Sequence, residues 1–237
     1  MRINITKAIA LLITFSVATF AQQKGTFTDS RDKKTYKTVK IGTQTWMAEN
    51  LSYKYSEDEY NISAKCYGEG AKVDTTSKYG KDMADVALSK DEIQANCEKY
   101  GRLYDYRMAM KSCPKGWHLP KNTEWDKLLR FVDNSKGTES PYESETAGNF
   151  LKATSGWKNY EGKSGNGEDK FGFSALGGGQ ATNIFKYAGI GGYWWTATQK
   201  QDNTNEAYSQ NMGYGGGGTS SDTYGTGYFF SVRCVKN

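Results

Sequence analysis

Between Cys113 and Trp125 the chain reads CPKGWHLPKNTEW, which places a cysteine, two prolines, a glycine, two tryptophans and the only histidine within thirteen residues. Pro114 and Gly116 supply a turn that ends one segment. Pro120 separates it from the next, because proline lacks the amide a helix interior needs and its ring clashes with the preceding turn. Beyond that break, Trp125, Leu128, Leu129 and Val132 fall at i, i+3, i+4 and i+7, which predicts a helix capped by Asn122 or Thr123 with one apolar face. Upstream, RLYDYRMAMKSC (102–113) brings Leu103, Tyr106, Met110 and Cys113 to helical spacing. The stretch therefore joins two helices at a forced corner.

A reaction centre here would need a thiolate beside a positioned imidazole. Cys113 and His118 are the only such pair the stretch offers, and no local Asn or Asp marks an orienting partner. As scaffold, every residue has a role: Cys113 as a cross-link, Trp117 and Leu119 as core, His118 as a local hydrogen-bonding group. The scaffold reading is the one taken forward, with no catalytic residue assigned.

The first residues, MRINITKAIALLITFSVATFAQQ, place Arg2 and Lys7 ahead of an uncharged apolar run from Ala8 to Ala21 that closes on small residues. This pattern predicts a secretory signal over residues 1–21. The run falls short of the ~20 apolar residues that cross a bilayer, so no stable membrane anchor is expected after cleavage. Removal of 21 of the 237 residues leaves 216, read as a single domain over 22–237. The formal charge then falls from +5 to +3, since the segment carries two basic and no acidic side chains. Lysines and acids alternate without a basic stripe, and nucleic acid is not an expected partner.

Cys66, Cys97, Cys113 and Cys234 are an even set in a chain expected in an oxidising compartment, where disulfides are the default. Four cysteines allow three pairings. In GYFFSVRCVK (227–236) alternation puts Tyr228, Phe230, Val232 and Cys234 on one inward strand face. Cys113, at the end of its helical stretch, is the natural partner beneath that strand. The expected bridges are Cys113–Cys234 and Cys66–Cys97. With no CxxC and one histidine, neither a metal site nor any cofactor is expected.

KTYKTVKIGTQTWMAEN (34–50) alternates around Gly42 and Thr43, a pair suited to a tight hairpin. Residues 56–90 are dominated by polar and charged side chains and read as a long surface excursion, and Ser89 with Glu92 forms a capping box for a short helix leading into Cys97. DNSKGTESPYESETAG (133–148) reads as an exposed loop. FGFSAL (171–176), GYWWTAT (192–198), EAYSQNM (206–212) and the terminal GYFFSVRCVK read as short strands. Two front helices and a strand-rich back half predict an α+β fold with short antiparallel strands and long loops.

YKTVKIGTQTWMAENLSY, CEKYGRLYDY, CPKGWHLPKNTEWDKLL, LKATSGW, FGFSALGGG, GYWWTAT and FFSVRCVK, in this order, resemble the successive blocks of the Fibrobacter succinogenes major paralogous domain (FISUMP) family, from about Thr26 to Asn237. More distantly, HLPKNTEW and FSVRC are similar to segments of the C-type-lectin-like fold, including the formylglycine-generating enzyme group. The resemblance implies a lectin-like mixed fold in which an early helix is tied to a late strand. It implies no calcium-dependent sugar site, because the EPN or QPD and WND triplets of such sites do not occur in this chain. Nor does it carry over the paired reactive cysteines of the oxidase, since the only late cysteine is Cys234.

Two other stretches hold residue types that can carry chemistry. Glu139, Glu143 and Glu145 could suggest paired acids for glycoside cleavage, but they lie in a Ser-rich run that reads as solvated loop. GYGGGGTSSD (213–222) lacks the lysine and following helix of a phosphate cradle and reads as a mobile tip. The functional expectation is a secreted or cell-surface, non-catalytic binding module for polysaccharide or another surface macromolecule. Tyr208, Tyr214 and Tyr224 are its candidate stacking residues. The alternatives are an assembly module with a cell-surface protein partner bound through 56–90, and an oxidase-like enzyme, which would demand free thiols.

Overall fold

The computed structural model describes residues 22–55, 64–74, 85–134 and 142–237; the expected signal segment lies outside them. The front of the chain forms β1 (Lys24–Thr28), β2 (Thr35–Ile41) and β3 (Gln44–Met47), then β4 (Val73–Asp74), β5 (Asp85–Val86) and α1 (Lys90–Tyr100). The middle holds β6 (Leu103–Tyr104), α2 (Tyr106–Ser112), β7 (Trp117–His118), α3 (Asn122–Val132) and α4 (Ala147–Leu151). The back adds β8 (Gly178–Ala181), β9 (Phe185–Ala188), β10 (Gly191–Lys200), β11 (Asn203–Gly213), β12 (Thr219–Gly225), β13 (Phe230–Ser231) and β14 (Val235–Lys236). The fold is mixed α+β, mostly sheet with a few short helices.

One sheet runs β1-β2-β3-β14-β7, so the last strand closes on the first hairpin. The other runs β12-β11-β10-β8-β9-β4-β5, with β13 pairing both β10 and β6. In the first hairpin Ile41 faces Gln44 across a two-residue turn, and Gly42 takes φ +58°, a conformation open to glycine at no steric cost. GYFFSVRCVK is two strands rather than one. Its halves belong to different sheets, and the crossing from β13 to β14 carries Val232, Arg233 and Cys234 through the interior, all buried.

The neighbouring tryptophans of β10 serve opposite sides, as strand geometry requires. Trp194 packs with Trp46, Trp125, Leu128, Leu129 and Phe173. Trp195 packs with Tyr104, Tyr106, Met108, Phe230 and Val232. Disulfides join Cys113 to Cys234 and Cys66 to Cys97. The first spans 121 residues of chain and fastens the end of α2 to the strand crossing.

Several expectations from sequence are corrected. Leu103 belongs to a strand, because Asp105 accepts the Met108 amide at 2.8 Å and starts α2 after it; Asp at the N-cap stops the helix from extending backward. The helix face consequently rotates, and Met110 is exposed. In α3 the expected apolar stripe is buried, but the cap is Lys121, whose amide donates to Glu124 Oε2 at 2.9 Å, while the Asn122 amide is satisfied by Thr198 Oγ1 at 3.1 Å.

FGFSAL is not a strand. Asp169 accepts both the amide and the hydroxyl of Ser174 at 2.6 Å, a local arrangement that competes with a ladder, and Phe173 is thereby inserted against Trp46 and Trp125. Within the excursion, residues 64–74 are anchored in the interior rather than lying on the surface: Cys66, Tyr67 and Val73 are buried, Tyr67 and Val73 in a cluster with Leu103, Ala181 and Phe185, while Val86 is exposed. The loop 133–148 ends in α4, and Ser144 is buried and bridged to Thr219. GYGGGGTSSD is no tip, since Thr219–Asp222 is paired strand and the Gly217 carbonyl accepts the Asn149 amide of α4.

Candidate functional site

The register of β10, β11 and β12 decides what faces a common surface. Tyr193 stands opposite Asn211, and Asn211 opposite Ser220; Ser209 pairs with Asp222 and Ala207 with Tyr224. Because side chains alternate along strands, Tyr193, Asn211, Ser220, Asp222 and Tyr224 share one face of this three-stranded edge. Tyr208 pairs with Thr223 and lies on the other face.

On the shared face lies an open groove of about 810 Å³, within the range of ligand clefts. Its tyrosines are Tyr160, Tyr187, Tyr193, Tyr214, Tyr224 and Tyr228. Tyr160 and Tyr214 meet edge to face at 5.0 Å and also border a smaller depression of about 310 Å³, so they form a ridge between the two. On the opposite wall Tyr193 stacks on Phe230 at 5.3 Å, and Tyr224 meets Phe230 at 4.9 Å and Tyr228 at 5.5 Å. These rings are fixed by the core beneath them.

Two backbone features place the rings. Tyr187 holds φ at +69°, a region in which a bulky residue is strained by ~1–3 kcal/mol. Gly191 leaves room for Tyr193, since a Cβ there would lie 2.7 Å from that ring.

Between the walls runs a polar chain. Ser209 Oγ donates to Asn211 Oδ1 at 2.6 Å, Asn211 Nδ2 donates to Asp222 Oδ2 at 2.7 Å, and Ser220 Oγ donates to the same oxygen at 3.0 Å. Burial, with the charge of Asp222 nearby, pushes the Tyr224 phenol up to about 12. Tyr193 is raised further, by burial first and then by Tyr224, Tyr187 and Asp222. Both phenols stay neutral at physiological pH, presenting ring faces and hydroxyls rather than charge.

The glycine-rich wall is clasped from behind by Lys152. Its buried Nζ donates to the carbonyls of Gly165, Gly213 and Gly216 at 2.8–3.0 Å, and burial lowers its pKa. A second buried cation, Arg233, sits away from the groove. It donates to Asn50 Oδ1 at 2.8 Å and to the Phe173 carbonyl, lies over the Phe173 ring at 4.4 Å, and is pushed down to about 9 by burial. Asn50 also takes the Trp194 indole N–H at 2.9 Å. This polar knot joins the two sheets.

Of the residues singled out in the sequence, Tyr214 and Tyr224 line the groove and Tyr208 does not. His118 joins Glu124 Oε1 at 2.8 Å and Asn237 Oδ1 at 2.6 Å, tying α3 to the chain end. Glu139 lies outside the described residues; Glu143 and Glu145 flank Ser144, which bridges to Thr219 of the groove wall, but neither glutamate lines the groove. Among the described residues no group of three metal-ligating side chains occurs, and no helix is long and apolar enough to cross a membrane. Tyr160, Tyr187, Tyr193, Asn211 and Asp222 carry no site signal in the sequence, and Tyr228, read there as an inward strand residue, lines the groove instead. Strand register alone brings Asn211 and Asp222 together with Tyr193.

The family model described as Fibrobacter succinogenes major domain matches residues 39–236. No curated protein and no solved structure matches the chain.

Proposed function

The chain belongs to the Fibrobacter succinogenes major domain family, and from that premise we propose a secreted or cell-surface binding module, without chemistry of its own, that holds polysaccharide in the tyrosine groove. The observation that carries this reading is the convergence of six tyrosines on a polar chain of Asn211, Ser220 and Asp222. Aromatic faces pack against the apolar face of a sugar ring, while an amide and a carboxylate receive or donate the bonds of its hydroxyls. Among the described residues Asp222 is the sole carboxylate lining the groove. Glycoside cleavage by paired carboxylates would require a second, which supports binding over hydrolysis.

Both disulfides support export, since such bonds persist in oxidising compartments. All four cysteines are bonded, which speaks against an oxidase using free thiols. We read the architecture as C-type-lectin-like, on the tie from α2 to the late chain and the closure of β14 on the first hairpin.

Retention on insoluble cellulose and on a glycan array, measured for the mature chain and three variants, tests the function. Tyr214→Ala and Tyr224→Ala are expected to weaken retention by about tenfold, the scale of one lost aromatic contact. Tyr208→Ala, on the opposite face, should bind as the parent does. Failure to bind any glycan, or equal loss with Tyr208→Ala, removes the reading.

A further inference from the structure

Resting on the polysaccharide reading above, we infer that Asp222 makes the groove selective for neutral glycans over acidic ones. The carboxylate is exposed at the groove surface, yet held in place from beneath. Both of its hydrogen bonds, from Asn211 and Ser220, fall on Oδ2, and Oδ1 takes none among the described residues. An ionised carboxylate is acceptor only. The free oxygen therefore suits the hydroxyl donors of an uncharged sugar and opposes a uronate carboxylate or a sulfate brought to the same place.

Among the described residues no Lys, Arg or His lines the groove to offset that repulsion. The nearest buried cation behind its wall, Lys152, directs its ammonium at three backbone carbonyls. Lys186 is drawn away toward Asp74 at 3.6 Å. The neutral tyrosine hydroxyls cannot replace them as counter-charges. The mature chain is nonetheless basic, with formal charge +3 once the two basic residues of the signal segment are taken from the +5 of the full sequence, so local and global charge have opposite sign. Salt at ~0.15 M limits the reach of the distant lysines to about 8 Å and leaves Asp222 dominant within the groove.

The test is isothermal titration calorimetry on the mature protein at that salt concentration. The probes are neutral polymers (hydroxyethyl cellulose, xylan, glucomannan) and the acidic polymers polygalacturonate and alginate. The parent protein is expected to bind at least one neutral polymer about tenfold or more tighter than either acidic one, the scale of one like-charge contact near a surface. Asp222→Asn preserves the acceptors for Asn211 and Ser220, so its melting temperature should stay that of the parent while the neutral-to-acidic ratio falls below about threefold.

Equal parent affinity for polygalacturonate or an unchanged neutral-to-acidic ratio in Asp222→Asn each overturns the selectivity while leaving the polysaccharide reading standing. Absence of binding to every polymer overturns both.

Discussion

Tyr187 holds a backbone conformation that costs energy while its ring lines the groove, so its strain and its position should separate under mutation. Asparagine adopts positive φ with little penalty. Tyr187→Asn is therefore expected to melt within ~1 kcal/mol of the parent, relief of strain offsetting lost packing, while glycan retention drops several-fold. A matched loss of stability and binding would make the ring structural. Tyr106 offers the converse case, because its hydroxyl is buried without a hydrogen-bond partner among the described residues. Tyr106→Phe should raise stability by about 1 kcal/mol in urea unfolding, since an unsatisfied buried hydroxyl is a net cost; a lower midpoint would refute this. Neither feature was legible in the sequence. Both tyrosines are chemically ordinary letters, and only φ and burial distinguish them.

At the scale of elements, legibility followed how local the deciding contacts are. The stripe of α3 and the capping box of α1 are set by residues three and four apart, and both were readable. The phase of α2 depended on one capping aspartate, and FGFSAL was lost to a turn around Asp169 that packs Phe173 against two tryptophans already in contact with each other. The glycine-rich segment failed as a tip because Lys152, some sixty residues upstream in chain order, clasps its carbonyls. That clasp predicts its own test. Lys152→Met fills similar space but leaves three carbonyls unpaired, so a loss of about 2 kcal/mol is expected. Amide exchange should accelerate in 213–217 before the rest of the sheet, as local opening precedes global unfolding. Uniform exchange across the molecule would show that the lysine stabilises no particular segment.

For the whole molecule, the sequence could announce disulfides, aromatic richness and α+β class, because composition and short-range alternation carry them. It could not announce the groove, whose residues come from segments around 160, 180, 187–193 and 211–228 and meet only through sheet register. The same aromatic interior sets the alkaline limit of the fold. Tyr67 and Tyr106 are pushed up to about 12 and Tyr104 well above its usual value, in each case chiefly by burial. Below pH 10 these phenols are protonated in both folded and unfolded chains and stability is unaffected. Above pH 10 the unfolded chain releases their protons and the folded one does not, so stability falls as pH rises toward 12 by up to ~1.4 kcal/mol per pH unit for each tyrosine. The lowered pKa values of Lys152 and Arg233 act in the opposite sense near their own titrations, but these two cations are outnumbered by the buried tyrosines, Tyr193 and Tyr224 among them. Melting temperatures by circular dichroism should thus be flat from pH 7 to 9.5 and decline steeply beyond 10. Tyrosinate absorbance should show a late, cooperative fraction that appears with unfolding; if every tyrosine titrated near 10 with the fold intact, the aromatic interior described here would be wrong.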